Sequence, residues 1–429
     1  MHWIVPVLVL VAVYAAIAYY IHKKNLFPEH VTFYGPFLAI KSRRVGFFDR
    51  FEPYKTAFRI YGTLGVIMVV VVSVLITIML IFSLKYTLAL RPEPTGIYEP
   101  QNILLIPGIN NYVPSTFAVW FAFVLTIAIH EMGHAILCRI EQIKVRSVGV
   151  LFAVIPVGFF VEPDEEELEQ KKGMPKMRMF GAGITNNIVI GFLCFGLMVA
   201  ALGMAVPSKT PVIQGIYQNY SADQAGIPAD SIVRTVNGIP VSSRDQVSAI
   251  LNDTKPGEQV TLGIEKDGTL SSYTLLLGEW PSGYNRTGGF MGIYYFQPEV
   301  LTSDPLSLLT PIGILHLLVT PFDTSASGEY FKILAFDSPL ESSYEVPFDQ
   351  YWGVIHLLFW CGWININVGI FNAIPMVPLD GGYILKEGVE RAFEKKGWQK
   401  YAPHIVASVS YALFVMLISL IMLPYLMHL

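Results

Sequence analysis

The sequence predicts a polytopic α-helical membrane protein of about six transmembrane helices. A small mostly-β domain is inserted between the fourth and fifth, and an extended hairpin dips into the membrane. Three observations predict this. Of the 429 residues, 53% are hydrophobic and only 14% charged, and the mean hydropathy is +0.49, more than a soluble domain of this length needs. Apolar runs of membrane-crossing length recur along the chain. From Pro207 the pattern changes to short alternating segments separated by Asn-Gly, Pro-Gly and Asp-Gly turns.

Taken in order, residues 1–114 hold two spans, Trp3 to Ile21 and Ile60 to Leu84. The first is too long for a signal h-region and lacks a basic n-region or a clear cleavage site, so it reads as a spanning helix. Residues 115–206 hold span three, Ser115 to Ile140, then Val145 to Val161, then span four, Met179 to Val206. Val145 to Val161 is apolar but short, and Gly149, Pro156 and Gly158 argue against a helix; it reads as extended, and backbone of that kind at membrane depth must be buried in protein or line a wet cavity. The acidic run Asp164 to Glu169 returns the chain to water. Span four opens with GAGITNNIVIG, whose small residues permit close helix packing. Asn186 and Asn187 need partners there: facing a site in the neighbouring helix and bonding between helices are both open to them.

Residues 207–285 form the inserted β domain, with one helix near Ser243 to Leu251. Residues 286–349 read as a linker or interfacial segment, with Leu306 to Phe322 lying on or dipping into the membrane because Pro311 and Pro321 interrupt it. Residues 350–429 hold span five, Tyr351 to about Phe371, a charged surface helix near Lys386 to Lys400, and span six, His404 to about Leu426. Basic residues crowd the loops between spans one and two, three and four, and five and six, whereas Lys85 and Arg91 alone occupy the loop between two and three. The positive-inside rule therefore puts the β domain and both termini outside, in a multi-pass protein of the plasma membrane.

Within span three lies His130-Glu131-Met132-Gly133-His134. On a helix the two histidines fall at i and i+4 and can face one metal ion, while Glu131 lies beside them as a general base for a bound water. With 9 histidines in the chain, composition alone yields such a match about once in a hundred chains, and ionisable groups inside a membrane helix are costly enough to imply a function. Two histidines need a third ligand. Asp380, after span five and bracketed by Pro378 and Gly381-Gly382, is the candidate; a plain turn aspartate is the alternative. The three cysteines, Cys138, Cys194 and Cys361, lie in spans and suggest neither a disulfide framework nor a zinc knuckle. A net charge of −4 offers no basis for a nucleic-acid partner.

HEMGH together with NAIPMVPLDGG resembles the HExxH and NxxPxxxLDG motifs of the site-2 proteases, a family of intramembrane zinc metalloproteases with an inserted PDZ domain. The segment SADQAGIPADSIVRTVNGIPV is similar to the corresponding PDZ stretch, with Asp230 where that pattern has Gly and Ser231 where it has Asp. The resemblance covers Ser115 to about Glu390. It implies a zinc endopeptidase cutting transmembrane helices of membrane-protein substrates within the lipid bilayer. His130, His134 and Asp380 would hold Zn2+, Glu131 would move the proton, and Asn372 and Asn187 would hydrogen-bond the substrate backbone or oxyanion. The edge Gly158, Phe159, Phe160 and Val161 would take an unwound substrate strand by β-addition. Two other readings compete: a membrane prenyl-protein protease, against which the LDG motif argues, and a scaffold recruiting partners through its PDZ-like domain, which would not need Glu131.

Overall fold

The computed structural model describes residues 4–102, 105–153, 155–283 and 288–428. They form two compact units, Met1–Leu193 with Cys361–Leu429, and Cys194–Trp360. The first unit opens with α1 (Ile4–Lys24), which matches the first expected span apart from Trp3, outside the described residues. Next come β1 (Val31–Tyr34) and β2 (Phe37–Ser42), where the sequence was read only as a basic loop. Gly35, at a φ of 60°, turns the chain between them. Then follow α2 (Lys55–Leu90), α3 (Phe117–Ile140), β3 (Val145–Ala153), β4 (Ile155–Pro163) and α4 (Met174–Leu202). The expected hairpin is therefore half of a four-stranded antiparallel sheet of order β1-β2-β3-β4, with β4 as one edge. Tyr14 of α1 fastens the sheet, its hydroxyl 2.7 Å from Pro36 O and 2.9 Å from Phe152 O.

Close packing of α2, α3 and α4 depends on small residues. A Cβ added at Gly133 would come within 2.8 Å of Ala182 O, and one at Gly65 would strike Thr185. At one end of α3 the buried Glu141 accepts from Arg178 Nε at 2.8 Å and Arg59 Nε at 3.3 Å, which ties all three helices. A buried carboxylate with two guanidinium partners holds a fixed register better than apolar contacts, which can slide.

The second unit contains β5 (Val206–Pro207), β6 (Val212–Ile216), β7 (Ser231–Val236), β8 (Ile239–Pro240) and α5 (Arg244–Asn252). It continues with β9 (Gln259–Lys266), β10 (Thr269–Leu276), β11 (Ile293–Tyr295), α6 (Pro311–Val319) and β12 (Tyr344–Glu345). The main sheet runs β10-β9-β7-β6-β11, with β8 on β7, and Val233, Val236, Val247, Leu262 and Ile264 bury its apolar face. Asp230 stands at a φ of 53°, a conformation that glycine takes freely and aspartate tolerates, and the Ser231 hydroxyl donates to Pro228 O at 2.6 Å.

Two boundaries differ from expectation. The sheet does not end before residue 286, because β11 pairs with β6. Nor is 286–349 a bare linker: β12 pairs with β5, and Leu301, Leu308, Leu317, Ile333 and Leu334 are buried. Leu306, Ile312 and Leu315 nevertheless remain exposed.

α7 (Tyr351–Asn372) leads back to the first unit, followed by α8 (Asp380–Glu394) and α9 (Ala402–Leu426). Five helices among the described residues are long and apolar enough to cross a membrane: those within Gly46–Leu90, Phe117–Ile140, Met174–Leu202, Tyr351–Asn372 and Gln399–Leu426.

Candidate active site

Three elements meet at one point of the first unit. α3 carries His130 and His134 one turn apart. The loop after α7 delivers Asp380 as the first residue of α8, where the helix dipole favours a carboxylate. That loop is pinned from both sides: Ser73 of α2 donates to Ala373 O, and the Val377 N–H donates to Ser410 Oγ of α9 at 3.1 Å. Its glycines permit the fold-back. A Cβ at Gly381 would lie 2.4 Å from Ala373 O, and one at Gly382 2.3 Å from the Val377 nitrogen.

The donor atoms converge. His130 Nε2 and His134 Nε2 are 3.1 Å apart, and Asp380 Oδ2 lies 3.1 Å from the first and 3.3 Å from the second. Ligands held about 2.0–2.1 Å from a tetrahedral ion stand about 3.3–3.4 Å from one another, so this triangle fits a zinc-sized ion. Two imidazoles and a carboxylate with little exposure thus offer three ligand atoms, and a tetrahedral ion held by three ligands keeps one position for water or substrate.

The other ring nitrogens show how the histidines are held. His134 Nδ1 lies 2.8 Å from Met179 O, so it carries the proton and Nε2 offers its lone pair to the site. His130 Nδ1 faces the Asn187 side-chain amide at 3.1 Å. If His130 also binds through Nε2, its Nδ1–H must donate to the Asn187 oxygen. Turning that amide by half a rotation satisfies both, and it gives a partner to Asn187 Oδ1, which otherwise has none among the described residues. Asn187, expected to meet substrate, is instead fully buried behind His130. Asn186 takes the interhelical role, accepting from the Tyr61 hydroxyl at 2.7 Å and donating to Ile129 O at 3.1 Å. Asn372 is half-buried at the end of α7.

Glu131 lies between the two histidines in the sequence of α3. Its Oε2 accepts the Val161 N–H at 3.0 Å. Since N–H groups alternate along a strand, the outward edge of β4 also presents Phe159 toward that side, while β3 takes the opposite edge. A cavity of about 470 Å³ lies beside Glu131, lined by Ile40, Phe47, Ala128, Met132, Val150, Phe159 and Phe160. The four edge residues expected to receive substrate, Gly158 to Val161, thus lie in β4, three of them bordering this cavity. Sequence reasoning missed the Val161–Glu131 contact and Gly183. The residue at 183 must be glycine for α4 to pass the histidines, since an added Cβ would stand 2.6 Å from both Nε2 atoms.

The family model described as peptidase family M50 matches residues 118–417. Among curated proteins, the chain is 26% identical over 209 residues to the regulator of sigma-E protease RseP of Escherichia coli, covering 45% of each chain. It is 23% identical over 246 residues to the regulator of sigma-W protease RasP of Bacillus subtilis, covering 54% of this chain and 57% of that one. It is also 23% identical over 342 residues to the Campylobacter jejuni protein Cj1068, covering 68% of this chain and 88% of that one. The chain thus spans about half the length of RseP and RasP and most of Cj1068.

Proposed function

The chain belongs to peptidase family M50, and from that membership and its converging donor triangle we propose that it is an intramembrane zinc endopeptidase cutting the transmembrane helices of other membrane proteins. The observation that carries the reading is the triangle itself: His130, His134 and Asp380, separated by up to 250 residues, bring three donors within 3.3 Å. Zinc bound there would polarise the scissile carbonyl and lower the pKa of a water molecule.

The remaining chemistry belongs to the chain. Met179 O and the Asn187 amide fix the two rings, and Asp380 supplies the negative charge. Glu131 takes a proton from the attacking water and returns it to the leaving amine, held in place by the Val161 N–H. A helical substrate hides its peptide bonds, so it must unwind. The β4 edge from Gly158 to Val161 offers backbone groups to the unwound strand, and the apolar cavity beside it accepts side chains. Asn372 remains the candidate for a hydrogen bond to the substrate backbone. The PDZ-like domain, residues 207–285, filters or positions substrates outside the membrane.

Six spans, with α1 as the first, put the site toward the cytosol and the PDZ-like domain outside, in the plasma membrane. Single cysteines at the exposed positions Ser242 and Glu169, in a cysteine-free background, report this: an impermeant thiol reagent on intact cells should label the first and spare the second. Labelling of Glu169 alone would invert the arrangement. The activity is tested by reconstituting the chain in liposomes with a fluorescent transmembrane-helix reporter. Cleavage that a zinc chelator stops and added zinc restores supports the proposal; cleavage indifferent to the chelator, or none at all with zinc bound, defeats it.

A further inference from the structure

A second group of donors lies in the second unit. His356, in the second turn of α7, is only 7% exposed. Its Nε2 is 3.0 Å from Ile333 O, so the proton of a neutral ring sits there. The Nδ1 lone pair then faces Asp337 Oδ1 at 3.4 Å, and Glu341 Oε1 is 3.8 Å from Nε2. Among the described residues, the only ion-pair partner of either carboxylate is this imidazole, and Glu341 Oε1 also accepts the Ser338 N–H at 3.1 Å. A lone pair and a carboxylate oxygen facing each other at 3.4 Å repel, and a cation between them would relieve that repulsion. One ligand atom from each of the three residues lies within 4.8 Å of the other two. The arrangement repeats that of His134, where a backbone carbonyl takes one ring N–H and frees the other nitrogen for coordination.

We propose that His356 Nδ1, Asp337 and Glu341 hold a second divalent transition-metal ion, of the zinc class, which ties the segment 333–341 to the first turns of α7. One imidazole with two carboxylates suits zinc better than calcium, which takes six to eight oxygens. Asp337 is fully exposed, so it can swing in as the last ligand and leaves a path for the ion.

The test uses the full chain in detergent, stripped with a chelator, reloaded with Zn2+, desalted and counted for zinc by plasma mass spectrometry. Wild type should hold two ions per chain, an Asp337→Asn/Glu341→Gln variant one, and a His130→Ala/His134→Ala variant one. With all four positions changed, none should remain. The amide replacements keep shape and volume, and as a second readout zinc should raise the melting midpoint of the His130→Ala/His134→Ala variant but not that of the chain changed at all four positions. If the His130→Ala/His134→Ala variant binds no zinc, or the amide variant keeps the wild-type count, the positive charge at His356 is a proton and the proposal falls. If wild type holds a single ion that only the Asp337→Asn/Glu341→Gln change removes, the catalytic-metal reading fails and this one stands.

Discussion

Replacing Gly183 with alanine loads the proposed zinc site at its tightest point. The new methyl would stand 2.6 Å from the Nε2 atoms of both His130 and His134. Non-bonded heavy atoms rest about 3.5 Å apart, so the overlap is about 0.9 Å. The rings have little room to retreat, because Met179 O and the Asn187 amide hold their far sides. Zinc sites tolerate only about 0.2 Å of error in ligand position. The displacement therefore exceeds what coordination allows. Disturbing the shell around a metal ligand alone costs about 10–100-fold in affinity. Because this change reaches both imidazoles, zinc affinity should fall by at least about 100-fold, or about 2.7 kcal/mol. Overpacking between α3 and α4 should remove about 1–3 kcal/mol of stability as well. Competition against a chromophoric chelator gives the affinity, and helical circular dichroism on heating shows whether the fold persists. A folded Gly183→Ala protein that binds zinc within threefold of wild type would refute the geometry on which the site rests.

Two further changes separate the roles. Asp380→Ala should cost most of the bound zinc, since two histidines make an incomplete site, and Asp380→Asn should keep part of the zinc but cleave far more slowly; normal zinc and turnover in the alanine variant would assign the third ligand elsewhere. Val161→Pro deletes the N–H that pins Glu131 while leaving β3's ladder, because that N–H points away from the sheet. A hydrogen bond to a charged group is worth about 1.5–3 kcal/mol, so cleavage should slow about 10–100-fold with zinc content unchanged, and equal turnover would show that Glu131 needs no anchor there.

How far the sequence carried differs by element. HEMGH and NAIPMVPLDGG were legible because spacing on a helix, and a carboxylate between proline and glycines, express their chemistry locally. The strands at Val31–Tyr34 and Phe37–Ser42 were not, because Lys41 and its basic neighbours made the stretch look like a loop counted for charge. In the structure Lys41 is part of the strand and pairs with Glu162 at 3.2 Å. β11 is three residues long and finds its partner some 80 positions earlier, beyond the reach of any periodicity. The division of labour between Asn186 and Asn187 depends on which side of α4 meets α3, which the small-residue pattern suggested without resolving. Gly183 was visible only as one small residue among several; its meaning depends on imidazoles about 50 residues away.

In the proposed mechanism, metal binding and proton transfer reside in different residues of one site. Glu131→Gln measures this directly. The carboxamide keeps the size and the acceptor oxygen for the Val161 N–H but cannot take a proton from water. Zinc per chain and cleavage of the membrane-helix reporter, determined on the same liposome preparation, should show full zinc with cleavage abolished. Wild-type cleavage by the glutamine variant would contradict the account.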